Sequence, residues 1–338
     1  MSSIELFGEV DGQAVHRLTV ENEHGMRLSC LTYAALWYSL EVPVNGEMRN
    51  LIVNSPSVAD YVDAPSYLGK SIGRTGGRIP KGEWLVDGQL VHLPTNEGNN
   101  TLHGGVNGFH SVVWYGVIDD NVIQFTKHFD SVFDGYPGDL DATITYTLTE
   151  DDQVLIDYTA ISTAKTLFNP TSHVYFNLNG SEKDIGNQSL FVDSHERLEL
   201  DDEKLPTGKL ISLENSPYNF FPAHRIAETL NALATTPENG IDDVYVIAEH
   251  SAKAPIAKLA LPEVSVAIYS DRNGLVLYTG NSFDATGKFV NYAGRPHIGV
   301  ALEAQTLPNA VNDPHFGDIT LDEGSRHEQI RYQVTYQR

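Results

Sequence analysis

The segment Thr143-Ile144-Thr145-Tyr146-Thr147-Leu148-Thr149 alternates polar and apolar residues without a break. A helix would scatter those apolar side chains around its surface, whereas a strand collects them on one face. Val154 to Ala160, Val264 to Ile268, Leu275 to Tyr278 and Arg331 to Tyr336 repeat the same period of two. Between such runs fall Asp87-Gly88, Asn107-Gly108, Asp134-Gly135, Asn179-Gly180, Asn239-Gly240 and Asn273-Gly274, dipeptides suited to tight turns. Helical spacing is scarce. Its clearest instance is Pro222 to Ala234, where Ile226, Leu230 and Leu233 recur on one face. The pattern predicts an all-β chain of antiparallel strands with few short helices, as a sandwich or a barrel.

With 338 residues, 41% hydrophobic and 20% charged, the chain has material for a sizeable core. No repeat, low-complexity tract or change of composition marks a linker, so one domain over residues 1–338 is expected. The balance of 22 basic against 45 acidic residues leaves a net charge of −23, which repels nucleic acid and anionic membranes. Cys30 stands alone, which excludes an intrachain disulfide and any multi-cysteine metal site. Met1-Ser2-Ser3-Ile4-Glu5 lacks the basic start and apolar core of a signal peptide, and no run approaches the roughly 20 apolar residues of a membrane span. A cytoplasmic location is the expectation.

Familiar cofactor motifs fail on their spacing. Gly69-Lys70-Ser71 ends like a phosphate loop, but Ala64 holds the place of its first glycine. Gly73-Arg74-Thr75-Gly76-Gly77 is no dinucleotide fingerprint, and His103-Gly104-Gly105 has no nucleophile elbow to accompany it. No metal or organic cofactor is called for.

Polar residues embedded in strand patterns carry more information. Glu303 lies in the apolar run His297-Ile298-Gly299-Val300-Ala301-Leu302-Glu303-Ala304. As a strand, this run sets Ile298, Val300 and Leu302 on one side and Gly299, Ala301 and Glu303 on the other. A carboxylate among small residues is either an acid at the floor of a pocket or a structural partner for a core arginine. In Thr171-Ser172-His173-Val174-Tyr175-Phe176-Asn177-Leu178, Val174, Phe176 and Leu178 face the core, while His173, Tyr175 and Asn177 share the other face. His173 reads as a proton donor or as a satisfied structural histidine, and Asn177 as a substrate contact. His103 precedes two glycines that let backbone approach a ligand, or it simply caps a turn. Arg78 suits bidentate recognition, a surface ion pair or a bond to Glu303. Asp242, after Asn239-Gly240-Ile241, is a binding acid or plain turn chemistry. Lys70, Arg74, Arg78 and Lys81 form the densest basic stretch and keep a phosphosugar in view.

Taken in order, Gly73-Arg74-Thr75-Gly76-Gly77-Arg78-Ile79, Asn100-Thr101-Leu102-His103-Gly104-Gly105, Gly135-Tyr136-Pro137-Gly138, Asn169 to Leu178, Gly240-Ile241-Asp242, Tyr278-Thr279-Gly280-Asn281 and Leu302-Glu303-Ala304-Gln305 resemble the aldose 1-epimerase (galactose mutarotase) family. The resemblance implies a large antiparallel β-sandwich with an open sugar cleft. It implies interconversion of the α and β anomers of an aldohexose, galactose or glucose by default, with maltose as a further candidate. Glu303 would be the base and His173 the acid, with His103 as a helper and Arg78 and Asp242 as substrate clamps. The acid–base pair is expected to hold each other's charge, the imidazole protonated and the carboxylate ionised. Departures occur at Gly77, Val276 and Asp243, and all are expected to touch substrate contacts.

Two rivals remain: a hexose-6-phosphate epimerase using the basic stretch, and a non-catalytic sugar-binding protein on the same sandwich. A monomer or a homodimer is compatible with the sequence.

Overall fold

The computed structural model describes residues 2–62, 66–248 and 253–338. Its period-two segments are strands. Leu140–Leu148 pairs antiparallel with Gln153–Ser162, which pairs in turn with Gly324–Tyr336, the last pairing also with Val264–Tyr269. These form part of a nine-stranded sheet. Ile144, Tyr146 and Leu148 are buried as the alternation requires. Each such side chain removed from water contributes about 1.5–3 kcal/mol.

A five-stranded meander, Ser3–Val10, Gln13–Glu21, Arg27–Leu31, Leu36–Val44 and Glu47–Asn50, forms a second sheet. A six-stranded sheet completes the frame in the order Tyr175–Phe176, Val300–Gln305, Gly274–Tyr278, Asp242–Val246, Glu196–Leu200 and Pro206–Ser212. Trp37 ties all three together. Its ring meets Tyr146 at 6.1 Å, Tyr332 at 5.0 Å and Phe176 at 5.9 Å, edge to face in each case. An all-β, sandwich-like architecture follows.

Several local expectations need correction. Among the six turn dipeptides, only Asp87-Gly88 is a two-residue hairpin turn, with φ of 50° and 77°. Asp11-Gly12 and Asn45-Gly46 make the same turn, and the sequence reading passed over both. Asn273-Gly274 instead leads into the strand Gly274–Tyr278, and Gly135 closes the short helix Ser131–Asp134. The helix expected from Pro222 begins later, at Ile226, and ends at Leu233. Before it, His224–Arg225 pairs with the strand Ser189–Val192, so sheet hydrogen bonds hold the residues that helical spacing had claimed. No helix among the described residues is long and apolar enough to cross a membrane.

Candidate active site

The six-stranded sheet places the site by register. Glu303 lies opposite Val276, and Val276 opposite Val244, so these side chains form one row on one face. Two residues along, Tyr175, Ala301, Tyr278 and Asp242 form the adjoining row. Both rows border a cavity of about 220 Å³ that Arg78, His103 and His173 also line. Glu303, His173, His103, Arg78 and Asp242 are therefore brought together from five separate stretches of chain.

Gly299 and Ala301 have the small side chains noted in the sequence, yet the space beside them is not open. A Cβ on Gly299 would lie 3.0 Å from Tyr175 Cβ, because that residue fills the gap. Ile298 also departs from expectation. It precedes the strand and packs with Ala301 and Tyr175, not with Val300 and Leu302.

His173 Nε2 stands 3.5 Å from Glu303 Oε1, with the side chains 7% and 2% exposed. Among the described residues, His173 Nδ1 and Glu303 Oε2 have no hydrogen-bond partner. Burial pushes the Glu303 carboxyl up to about 8, an effect reinforced by the charge of Asp242 and opposed by Arg78. Burial also pushes the His173 imidazole down to about 4, against the pull of its own backbone, with the Lys70 charge acting in the same direction as burial. This reverses the charged pair expected from sequence: enclosure outweighs mutual attraction, and both partners favour their neutral forms. Between those values the pair holds one proton.

His103 is set by its backbone. Its φ is 51°, followed by Gly104 at 87°, where a Cβ would collide with Gly73 O at 2.0 Å. The Gly77 N–H donates to His103 Nδ1 at 3.2 Å, and the His103 N–H donates back to the Gly77 carbonyl at 3.1 Å. With Nδ1 accepting, a neutral His103 carries its proton on Nε2. Its ring packs 5.4 Å from His173 and 4.7 Å from Tyr67. Burial, followed by the charges of His173 and Arg78, holds its basicity well below the ordinary value.

Arg78 does not bond Glu303. Its Nε and Nη2 donate to the two oxygens of Glu97 at 2.5 and 2.8 Å, which fixes the guanidinium at the cavity wall. Burial holds the Asp242 carboxyl above its ordinary range, against the opposing charges of Lys204 and Arg78.

Asn177 falls outside the cavity. It is fully buried, and its amide donates to the carbonyls of Lys183 and Ile298, each at 2.8 Å. Its oxygen accepts from the Asn179 backbone at 3.0 Å and from the Asn179 and Gln188 amides at 2.9 Å. The strand spans only Tyr175–Phe176, so the alternation that linked Asn177 to His173 does not reach it. Asn177 braces the loop behind the site.

The departures divide similarly. Val276 lines the cavity, and Gly77 does too, at φ 71°, where a Cβ would meet Pro308 at 2.8 Å. Asp243 points to the other face and bonds Arg197 at 2.6 Å, so it touches no substrate space. The basic stretch also disperses. Arg74 is buried against Asp134 at 2.6 and 3.0 Å, Lys70 Nζ sits 5.2 Å from the Tyr33 ring centre, and Lys81 is exposed.

Tyr67, Glu97, Lys204 and Tyr278 also line the cavity, and nothing in the sequence marks them as site residues. Glu97 and Tyr67 sit outside regular strands, where no periodicity announces them. Chemically, the site offers a proton-sharing acid pair, a neutral donor, a fixed cation and a second carboxyl. His103, His173 and Glu303 also bring one ligand atom each within 4.8 Å of the others, a set able to hold a divalent cation.

A buried carboxyl–imidazole pair lies at the bottom of a sugar-sized cleft in a β-sandwich, an arrangement suited to a ring-opening isomerase. The comparisons agree. The sequence profile of the family described as aldose 1-epimerase matches residues 16–332. A maltose epimerase of Levilactobacillus brevis is 36% identical over 98% of this chain and 96% of its own. Galactose mutarotase of Homo sapiens is 29% identical over 97% and 96%. The crystal structure of a galactose 1-epimerase from Lactobacillus acidophilus NCFM superposes with a TM-score of 0.88 at 26% identity, covering 100% of this chain and 99% of that one. The chain belongs to the aldose 1-epimerase family, and its reaction is the interconversion of the α and β anomers of an aldose.

Proposed function

We propose that Glu303 and His173 carry this reaction by passing one proton each way across the hemiacetal of an aldohexose. After the Glu303 proton passes to His173 Nε2 across the 3.5 Å between them, Glu303 takes the proton of the C1 hydroxyl while His173 Nε2 gives one to the ring oxygen. The bond from C1 to the ring oxygen breaks as the C1 carbonyl forms. Rotation about C1–C2 presents the other carbonyl face, and the two transfers reverse. His103 donates through Nε2–H to an oxygen at the reacting carbon, and Arg78 and Asp242 hold the remaining hydroxyls.

The observation that carries this reading is the 3.5 Å separation of His173 Nε2 and Glu303 Oε1 at the cavity floor. Ring opening converts a carboxylate and an imidazolium into a carboxylic acid and a neutral imidazole. Those are the forms that burial favours, so the enclosure stabilises the pair as it stands beside the open-chain sugar.

The reacting unit is galactose or glucose, free or as the reducing ring of a disaccharide such as maltose, the sugar named for the Levilactobacillus brevis relative. A phosphosugar is disfavoured because Lys70, Arg74 and Lys81 do not line the cavity. A cytoplasmic location fits the buried free thiol of Cys30. Polarimetry on freshly dissolved α-galactose, α-glucose and β-maltose tests the reading; mutarotation of all three no faster than in buffer refutes it.

A further inference from the structure

A second cavity, of about 350 Å³, adjoins the candidate active site, and Ser66 and Ser282 line both. Asp60, Leu68, Phe283, Lys288 and Phe289 contribute to the walls of this second space. A series of packed rings runs from the wall of one cavity to the wall of the other. His173 lies 5.1 Å from Tyr175, Tyr175 lies 4.9 Å from Phe283, and Phe283 lies 5.1 Å from Phe289. Phe283 is buried within this series, whereas Phe289 is only partly covered.

These walls suit a sugar. A pyranose presents an apolar C–H face, which aromatic rings accept, and a rim of hydroxyls, which charged and hydroxyl side chains accept. Phe289 supplies the first. The Asp60 and Lys288 pair, 3.5 Å apart, and the serines at the junction supply the second. Asp60 and Asp284 on the same wall disfavour a phosphate.

We propose that the second cavity is a subsite for an additional sugar ring, linked glycosidically to the aldose that reacts between Glu303 and His173. The inference rests on the acid–base reading above. In that reading C1 points inward to Glu303, so only the distal end of the reacting ring can extend past Ser66 and Ser282. The substrate class is therefore the reducing disaccharide.

Polarimetry with fresh α-glucose and fresh β-maltose tests this on the wild type and on Phe289→Ala and Gly287→Ala. A Cβ on Gly287 would lie 2.6 Å from Phe289 Cε2, so the second substitution displaces the ring without deleting it. Both variants are expected to lose about tenfold in kcat/KM for maltose, with glucose within about twofold of the wild type. Phe289→Leu keeps apolar bulk without the ring, and is expected to lose maltose turnover too should Phe289→Ala fail to fold. Equal effects on both sugars would overturn the subsite, as would a wild type active on glucose and inert on maltose. A wild type inert on every sugar would instead overturn the acid–base reading, and the subsite with it.

Discussion

His173 Nε2 and Glu303 Oε1 face each other at 3.5 Å, one from the link between two short strands and the other from within the strand Val300–Gln305, and their other polar atoms have no partner among the described residues. Those open valences are where a substrate's oxygens can bond. If the two groups act as one proton-sharing unit, Glu303→Gln should lower kcat by about a thousandfold with the far-ultraviolet circular dichroism unchanged. His173→Asn should do the same. The double variant should be no slower than either single one; a further multiplicative loss would show independent roles.

The pair also sets a pH signature. Activity should hold across the window in which it carries one proton, from about pH 4 to about pH 8, and fall on both sides. Stability follows from the same values. The raised Glu303 contributes stability that is complete below 4.5 and lost as pH rises through about 8. The lowered His173 contributes stability that is complete above 6.5 and lost as pH falls through about 4. Between 4.5 and 6.5, folded and unfolded chains hold the same single proton on these groups, and the two terms cancel. From 6.5 to 8 the folded pair keeps a proton that the unfolded chain has released, and about 2 kcal/mol is lost. Urea melts of Glu303→Gln should lack that alkaline decline; an identical slope in variant and wild type would contradict it.

Glu97 fixes Arg78 with two hydrogen bonds, which points to a role in substrate binding and not in proton transfer. Glu97→Gln weakens one charge-assisted bond, so KM should rise by about tenfold while kcat stays within about twofold. Initial rates over a range of galactose concentrations separate the two. A fall in kcat at constant KM would place Glu97 in the chemistry.

Asn177 has its amide donors and acceptor fully engaged inside the fold. Asn177→Ala strands the buried carbonyl of Ile298 and the buried Gln188 amide and removes the bond to the half-buried Lys183 carbonyl, at a cost of about 3 kcal/mol. A thermal melt should show a lower midpoint, with KM for the sugar unchanged below the transition. A changed KM at unchanged stability would restore Asn177 as a substrate contact.

Phosphate recognition needs converging cations, and here Arg74 is spent on Asp134 while Lys70 is packed beside Tyr33. Glucose 6-phosphate should be turned over no faster than glucose in parallel polarimetry. A kcat/KM about tenfold higher would revive the phosphosugar reading.

Much of this was legible in one dimension. Alternation in Thr143 to Thr149 marks a strand because side-chain direction in extended chain is a local property, and Ile144, Tyr146 and Leu148 are indeed buried. A carboxylate inside an apolar run marks Glu303 because only a pocket or a partner offsets its burial. The errors share a cause. Alternation carried from His173 to Asn177 overruns a strand that spans only Tyr175–Phe176, and Ile298 precedes the strand Val300–Gln305 whose faces it would share.

Strand content and the identity of the buried acid were thus determined by the sequence itself, since both depend on neighbours a few residues away. Tertiary structure alone decided that Glu97 holds Arg78, that Asp243 turns away from the cavity and that Glu303 and His173 prefer to be neutral. Each of these depends on cross-strand register and on exclusion of water by distant segments, and hydration of a charge is a property of the closed fold.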